Sequence, residues 1–195
     1  MPTQNQPNIL QVDWSKIPAP QDDGGARHLL GMRLPDITLP ASDGGAVSLA
    51  KCTGRTVVYA YPRMGKPGQI ALVEGWDDIP GARGCTPQSC AFRDHFADLR
   101  AAGATQVFGL STQDTAYQAE AVARLNLPFP ILSDEHLALT RAMRLPTLEV
   151  ANLTLLKRLA MVIDDGRIAK VFYPVFPPDR NASDVLAWLK DNPRT

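Results

Sequence analysis

The chain has 195 residues, 20 Lys+Arg against 20 Asp+Glu, 45% hydrophobic and 21% charged residues. That length suits one domain burying roughly 70% of the unfolded chain's surface, and the composition excludes a disordered chain. The even charge lacks the footprint of a nucleic-acid binder, and no apolar run approaches the roughly 18 residues of a membrane span.

Residues 1–26 are rich in Pro, Gln and Asp without a sustained period and read as an extended or poorly ordered arm. Their beginning, MPTQNQPNILQVDW, has neither a basic n-region nor an apolar h-region, so no secretory signal is expected. The remainder, 27–195, reads as one domain. Residues 34–49 alternate apolar and polar side chains around Asp43-Gly44-Gly45, which predicts a β-hairpin. TVVYAY at 56–61 is a buried-strand run that Pro62 ends. A helix is predicted from Thr86, with Pro87 in its first turn, Phe92, Phe96 and Leu99 on its core face and Gly103 at its end. Then come a strand at 106–110, a helix at 115–125, a short strand at 129–132 and a helical stretch at 136–143. Strands at 158–163 and 168–173 flank Asp164-Asp165-Gly166, a second hairpin, and Ser183 is expected to cap a last helix. Strands alternating with helices and closing on a hairpin predict an α/β protein of thioredoxin-like fold. Its mixed central β-sheet is flanked by helices and preceded by an N-terminal β-hairpin.

Three cysteines in this length do not make a disulfide scaffold and point to a reducing cytoplasm. Cys85 falls at the mouth of the helix predicted from Thr86, where unpaired N–H groups and the helix dipole favour thiolate over thiol. Arg83 is close enough in sequence to add positive charge. Cys90 lies five residues on, inside the helix. Five helical residues rise about 7.5 Å, whereas a disulfide tolerates a Cα separation of about 7 Å. A Cys85–Cys90 bond therefore requires the first turns of the helix to unwind. Two plainer readings stand beside this one. Both thiols are small buried apolar groups, which suits Cys90 better than Cys85. Or Cys85, Cys90 and His95 hold zinc, for which no convincing fourth ligand is near. Cys52 has nothing nearby to activate it and reads as structural.

GCTPQSCAFRD at 84–94 resembles the active-site segment of peroxiredoxins, in particular the peroxiredoxin Q (bacterioferritin comigratory protein) subfamily. The likeness runs from about Gly31 to about Trp188 and includes LPDITLP, VVYAYPR, FPILSDE and RLAMVIDDGRI. The resemblance implies a peroxidatic Cys85, a resolving Cys90 and, at the arginine of the last segment, Arg158 as the group that holds the thiolate and the peroxide oxygens. Gln88 would orient that arginine. It also implies a thiol-dependent peroxidase with no metal, flavin or haem cofactor. The substrate would be hydrogen peroxide or an alkyl hydroperoxide, the reductant a thioredoxin or glutaredoxin system, and the protein a monomer or weak dimer. A thiol–disulfide oxidoreductase and a non-catalytic redoxin-like binding domain are the alternatives.

The chain departs from the family pattern just before Cys85. The family carries Thr or Ser three residues before its first cysteine; here Ala82 stands there. Pro62 is separated from Cys85 by 22 residues, an insertion of about 64–80. A loop of that length beside a nucleophile is rarely a plain connector. Three roles compete. Pro62 still lines the pocket and Thr86 supplies the missing hydroxyl; or the loop is a lid or docking surface anchored by Trp76; or peroxide chemistry gives way to thiol exchange.

Overall fold

A computed structural model describes residues 12–194. In chain order its elements are β1 (Thr38–Pro40), β2 (Ala46–Ser48), β3 (Arg55–Ala60), α1 (Cys85–Asp94), α2 (Phe96–Ala101), β4 (Ala104–Ser111) and α3 (Thr115–Leu125). They continue with β5 (Ile131–Ser133), α4 (Ala138–Met143), β6 (Thr147–Val150), β7 (Leu153–Leu156), β8 (Leu159–Asp164), β9 (Arg167–Phe172) and α5 (Asn181–Asp191). Five strands form the central sheet in the order β5-β4-β3-β8-β9, while β1–β2 and β6–β7 are separate hairpins. β3 pairs parallel to β4 and antiparallel to β8, so the sheet is mixed and β3 lies at its centre.

The central position explains the sequence of β3. A strand covered on both faces favours apolar side chains, and every residue of β3 is buried; residues 57–60 are apolar, and at its polar start the Arg55 guanidinium is paired with Asp164. The period of two then divides them between two cores. Val57 and Tyr59 join Phe92, Leu99, Val185 and Leu189 from α1, α2 and α5. Val58 and Ala60 point the other way, toward Leu139 and Met143 of α4 and Leu39 of the N-terminal hairpin. Gly109 in β4 is required by a close approach: a Cβ there would sit 3.0 Å from Ile131 and 3.1 Å from the Tyr59 hydroxyl. This is the expected thioredoxin-like layout, a mixed sheet between helices with an N-terminal hairpin.

Four local expectations are corrected. The single helix expected up to Gly103 is two, broken at His95, which has left helical geometry at ψ 4°. The break sets Phe96 against Phe129, ring centroids 5.7 Å apart. Ser183 does not cap α5. The helix already begins at Asn181, and the Ser183 hydroxyl donates back to the Arg180 carbonyl at 2.8 Å. The strand expected over 129–132 is Ile131–Ser133, set by pairing with β4. The hairpin β6–β7 was not foreseen. Its turn places Ala151 and Asn152 at φ 51° and 61°, a left-handed pair without the glycine that usually announces one.

Residues 1–11 of the expected arm lie outside the described residues. From Val12 on, the arm is docked on the domain. The Asp23 carboxylate accepts from Lys157 Nζ at 2.6 Å and from the Tyr173 hydroxyl at 2.7 Å. These bonds, that to Lys157 foremost, hold its carboxyl far below the usual carboxylate range. Trp14 Nε1 donates to Asp179 at 2.8 Å.

Candidate active site

Between the end of β3 and the start of α1 the chain makes the long excursion noted in the sequence, then returns through Gly81-Ala82-Arg83-Gly84 to Cys85. Gly84 caps α1 at φ +106°, a conformation that side chains rarely adopt. A Cβ there would also meet Pro178 at 2.5 Å and Trp14 at 2.8 Å. The glycine thus lets the turn pass under the docked arm and delivers Cys85 as the first residue of the helix.

Cys85 is buried, and Arg158, the residue preceding β8, reaches it from the central sheet. Arg158 Nη2 donates to Cys85 Sγ at 3.3 Å and lies 3.2, 3.2 and 3.0 Å from the carbonyl oxygens of Gly81, Ala82 and Arg83. As a thiol, Cys85 is placed to donate to the Ala82 carbonyl at 3.6 Å. Arg158 is 2% exposed and has no acidic partner among the described residues, and its Nε makes no hydrogen bond there. A buried guanidinium without a carboxylate keeps its charge for what shares its surroundings. Here that is the sulfur.

Gln88 is hydrogen-bonded to the arginine. Its Oε1 accepts from Arg158 Nη1 at 2.6 Å, and its Nε2 donates to Asn181 Oδ1 at 2.9 Å. Asn181, buried at the start of α5, completes the chain Asn181–Gln88–Arg158–Cys85. Sequence reasoning missed it: α5 was expected to begin only at Ser183, and no spacing ties residue 181 to residue 88.

Cys90 sits one and a half turns further along α1, and the structure holds it and Cys85 as free thiols. Burial pushes the Cys90 thiol up, against a smaller lowering effect of the Arg93 charge. Cys52 is buried and likewise raised, chiefly by burial. Arg83 does not serve Cys85 as expected. Its guanidinium pairs with Asp77 of the insertion, and only its carbonyl faces Arg158.

A cavity of about 220 Å³ opens over Cys85, with Ala82, Gly84, Thr86 and Pro87 around the sulfur. Thr86 is thus in position to serve the pocket, whereas Pro62, although buried, is not among its walls. The insertion supplies Lys66, Trp76 and Asp77 to the same lining, with Arg63 just before it. The insertion is anchored where it leaves β3. Met64 is buried, its N–H donates to Gln113 Oε1 at 2.9 Å, and its carbonyl accepts from Gln113 Nε2 at 3.0 Å. A buried nucleophile, one uncompensated cation on it and a small cavity above can together activate a thiolate toward a small electrophile and hold the charge that develops on it.

Comparison with known proteins gives consistent results. The family model described as Redoxin matches residues 29–188. The chain is 35% identical over 164 residues to a chloroplastic peroxiredoxin Q of Oryza sativa subsp. japonica, covering 82% of this chain and 66% of that protein. It is 32% identical over 167 residues to a chloroplastic peroxiredoxin Q of Sedum lineare, covering 85% and 80%. It therefore spans just under two thirds of the rice protein and more of the Sedum one. Its fold is similar to the crystal structure of the peroxidoxin BcpB from Mycobacterium tuberculosis. The TM-score is 0.67 at 24% identity, covering 85% of this chain and 98% of that one.

Proposed function

The chain belongs to the Redoxin family, in the company of its peroxiredoxin Q members, and on that premise we propose that it is a thiol-dependent peroxidase. The observation that carries the reading is the buried Arg158 guanidinium on Cys85 Sγ at 3.3 Å beneath a small cavity. The Cys85 thiolate attacks the terminal oxygen of a hydroperoxide. An S–O bond forms as the O–O bond breaks, and the departing alkoxide or hydroxide takes a proton from water. Arg158 stabilises both the attacking sulfur and the negative charge on the departing oxygen. The sulfur is oxidised to a sulfenic acid and the peroxide reduced to an alcohol or water.

With the start of α1 unwound, Cys90 sulfur displaces the sulfenic oxygen. An S–S bond forms, and the hydroxyl leaves as water with the Cys90 proton. An external dithiol of thioredoxin or glutaredoxin type supplies two electrons to restore both thiols. Thr86 lines the substrate pocket and supplies the hydroxyl that Ala82 lacks. The working unit is the domain 27–195 with its insertion at 64–80, acting as a monomer or weak dimer in a reducing cytoplasm. No helix among the described residues is long and apolar enough to cross a membrane.

Peroxide consumption with thioredoxin and its reductase, followed through NADPH oxidation, tests the reading. Turnover is expected with the wild type and none above background with Cys85→Ser. Reduced protein that exchanges disulfides but leaves peroxide untouched would replace it with a thiol–disulfide oxidoreductase.

A further inference from the structure

Four cations line the cavity over Cys85: Arg63, Lys66, Arg83 and Arg124. Two of them are neutralised. Arg83 pairs with Asp77, and Arg124 donates to Glu120 at 2.8 Å. Arg63 and Lys66 have no acidic partner among the described residues, and residues 1–11 contain no Asp or Glu to supply one. Both are half-buried, and both lie over the same aromatic ring, Arg63 at 5.3 Å and Lys66 at 4.3 Å from the Tyr117 ring centre. Met64, clamped between them by Gln113, fixes their stem. The result is a pair of cations in the wall of the cavity, their charged ends held on the Tyr117 ring at its margin, carried by the residues with which the insertion leaves the strand.

Reduction of a neutral peroxide has no use for them. The reacting oxygens meet Cys85 and Arg158, and Arg158 already supplies the charge that the step develops. Unpaired cations beside an aromatic ring, in a partly desolvated wall, suit a second group on the substrate, and that group is an anion. The cavity of about 220 Å³ is smaller than the roughly 300 Å³ at which drug-sized sites begin, so the substrate is compact.

We propose that the cavity selects compact organic hydroperoxides carrying a carboxylate, the carboxylate held by Arg63 and Lys66 while the peroxide lies on Cys85. The chemical step is unchanged. The cations act by raising occupancy and fixing orientation, and the substrate class rests on the peroxidase reading above.

A matched pair of probes isolates the effect: cumene hydroperoxide and its para-carboxylate, which differ in one distant charge. The expected ratio of kcat/KM, charged over neutral, is about ten, the size expected of two partly screened charge contacts. It should fall several-fold between 20 mM and 500 mM salt as the charges are screened. The double variant Arg63→Gln/Lys66→Gln should bring the ratio near one, while Arg63→Lys should keep most of it. A wild-type ratio near one, a ratio indifferent to salt, or an equal fall for both peroxides in the double variant overturns the proposal and leaves the peroxidase reading standing. Consumption of neither peroxide removes both.

Discussion

Gln88 holds two partners at once, and its two ends are not interchangeable. Its oxygen faces the Arg158 guanidinium and its amide nitrogen faces Asn181 Oδ1. Turned end for end, the amide would set N–H against N–H at Arg158 and oxygen against oxygen at Asn181. The donor-only guanidinium takes the oxygen, and Asn181, accepting from the other end, holds the Gln88 amide in place and through it the guanidinium on the sulfur. Replacing Asn181 by Leu should change the profile of Cys85 alkylation by iodoacetamide, slowing it, and slow the peroxide reaction about five- to tenfold. That is the scale of one buried hydrogen bond to a charged network. Asn181→Asp keeps the acceptor oxygen and should retain most of the wild-type profile. Identical profiles for wild type and Asn181→Leu would exclude this positioning role. Cys85, Gln88 and Arg158, which the structure brings together, are each marked in the sequence by a motif or a family position. Asn181 is not, because its role exists only where α5 crosses α1, 93 residues away in sequence from Gln88.

At the scale of the element, α1 carries both thiols in a form that keeps them apart. While the helix is intact, Cys90 is buried and its thiol is pushed above the ordinary value, so at neutral pH it stays protonated and is a poor nucleophile. Two consequences follow for the resolving step. The rate of Cys85–Cys90 disulfide formation after one equivalent of peroxide should rise from pH 7 to pH 9 as the Cys90 thiol ionises. The amides of 85–94 should exchange slowly in the reduced protein and much faster in the oxidised one, as read by hydrogen-exchange mass spectrometry. Equal protection in both states would exclude unwinding. The separation of Cys85 and Cys90 follows from helix rise and disulfide reach alone, and so was legible in the sequence spacing. The break at His95 was not, because His is as compatible with a helix interior as its neighbours. The β6–β7 hairpin escaped for a related reason: Ala151 and Asn152 take the left-handed turn without glycine. In both places tertiary packing overrides what local residues announce.

Across the whole molecule, the segment from Val12 acts as a strap over the turn that bears Cys85. Trp14 packs against Gly84 and meets Phe176 edge-on with ring centroids 6.1 Å apart, while its indole N–H donates to Asp179. Pro20 lies on Gly81, and Asp23 fastens the strap to Lys157 and Tyr173. Composition rich in Pro, Gln and Asp suggests an extended or poorly ordered arm, and from Val12 on the segment holds one short 3-10 turn at Trp14–Lys16. It could not reveal the docking, which rests on single side chains meeting distant loops. These contacts are made to the 81–84 turn in its folded position, so they stabilise the helical form of α1 relative to the unwound form that disulfide closure needs. Removing the largest of them should lower that barrier. Trp14→Ala is expected to speed Cys85–Cys90 disulfide formation several-fold while the first reaction with peroxide changes little. The two steps separate in a rapid-quench time course with mass spectrometry of the sulfenic and disulfide forms. Because the sulfenic acid would then be shorter-lived, the variant should also accumulate less sulfinic acid at high peroxide. An unchanged or slower disulfide step would show that the strap serves stability alone. A slowed first step would instead place Trp14 in the activation of Cys85, through the Gly84 cap that it covers.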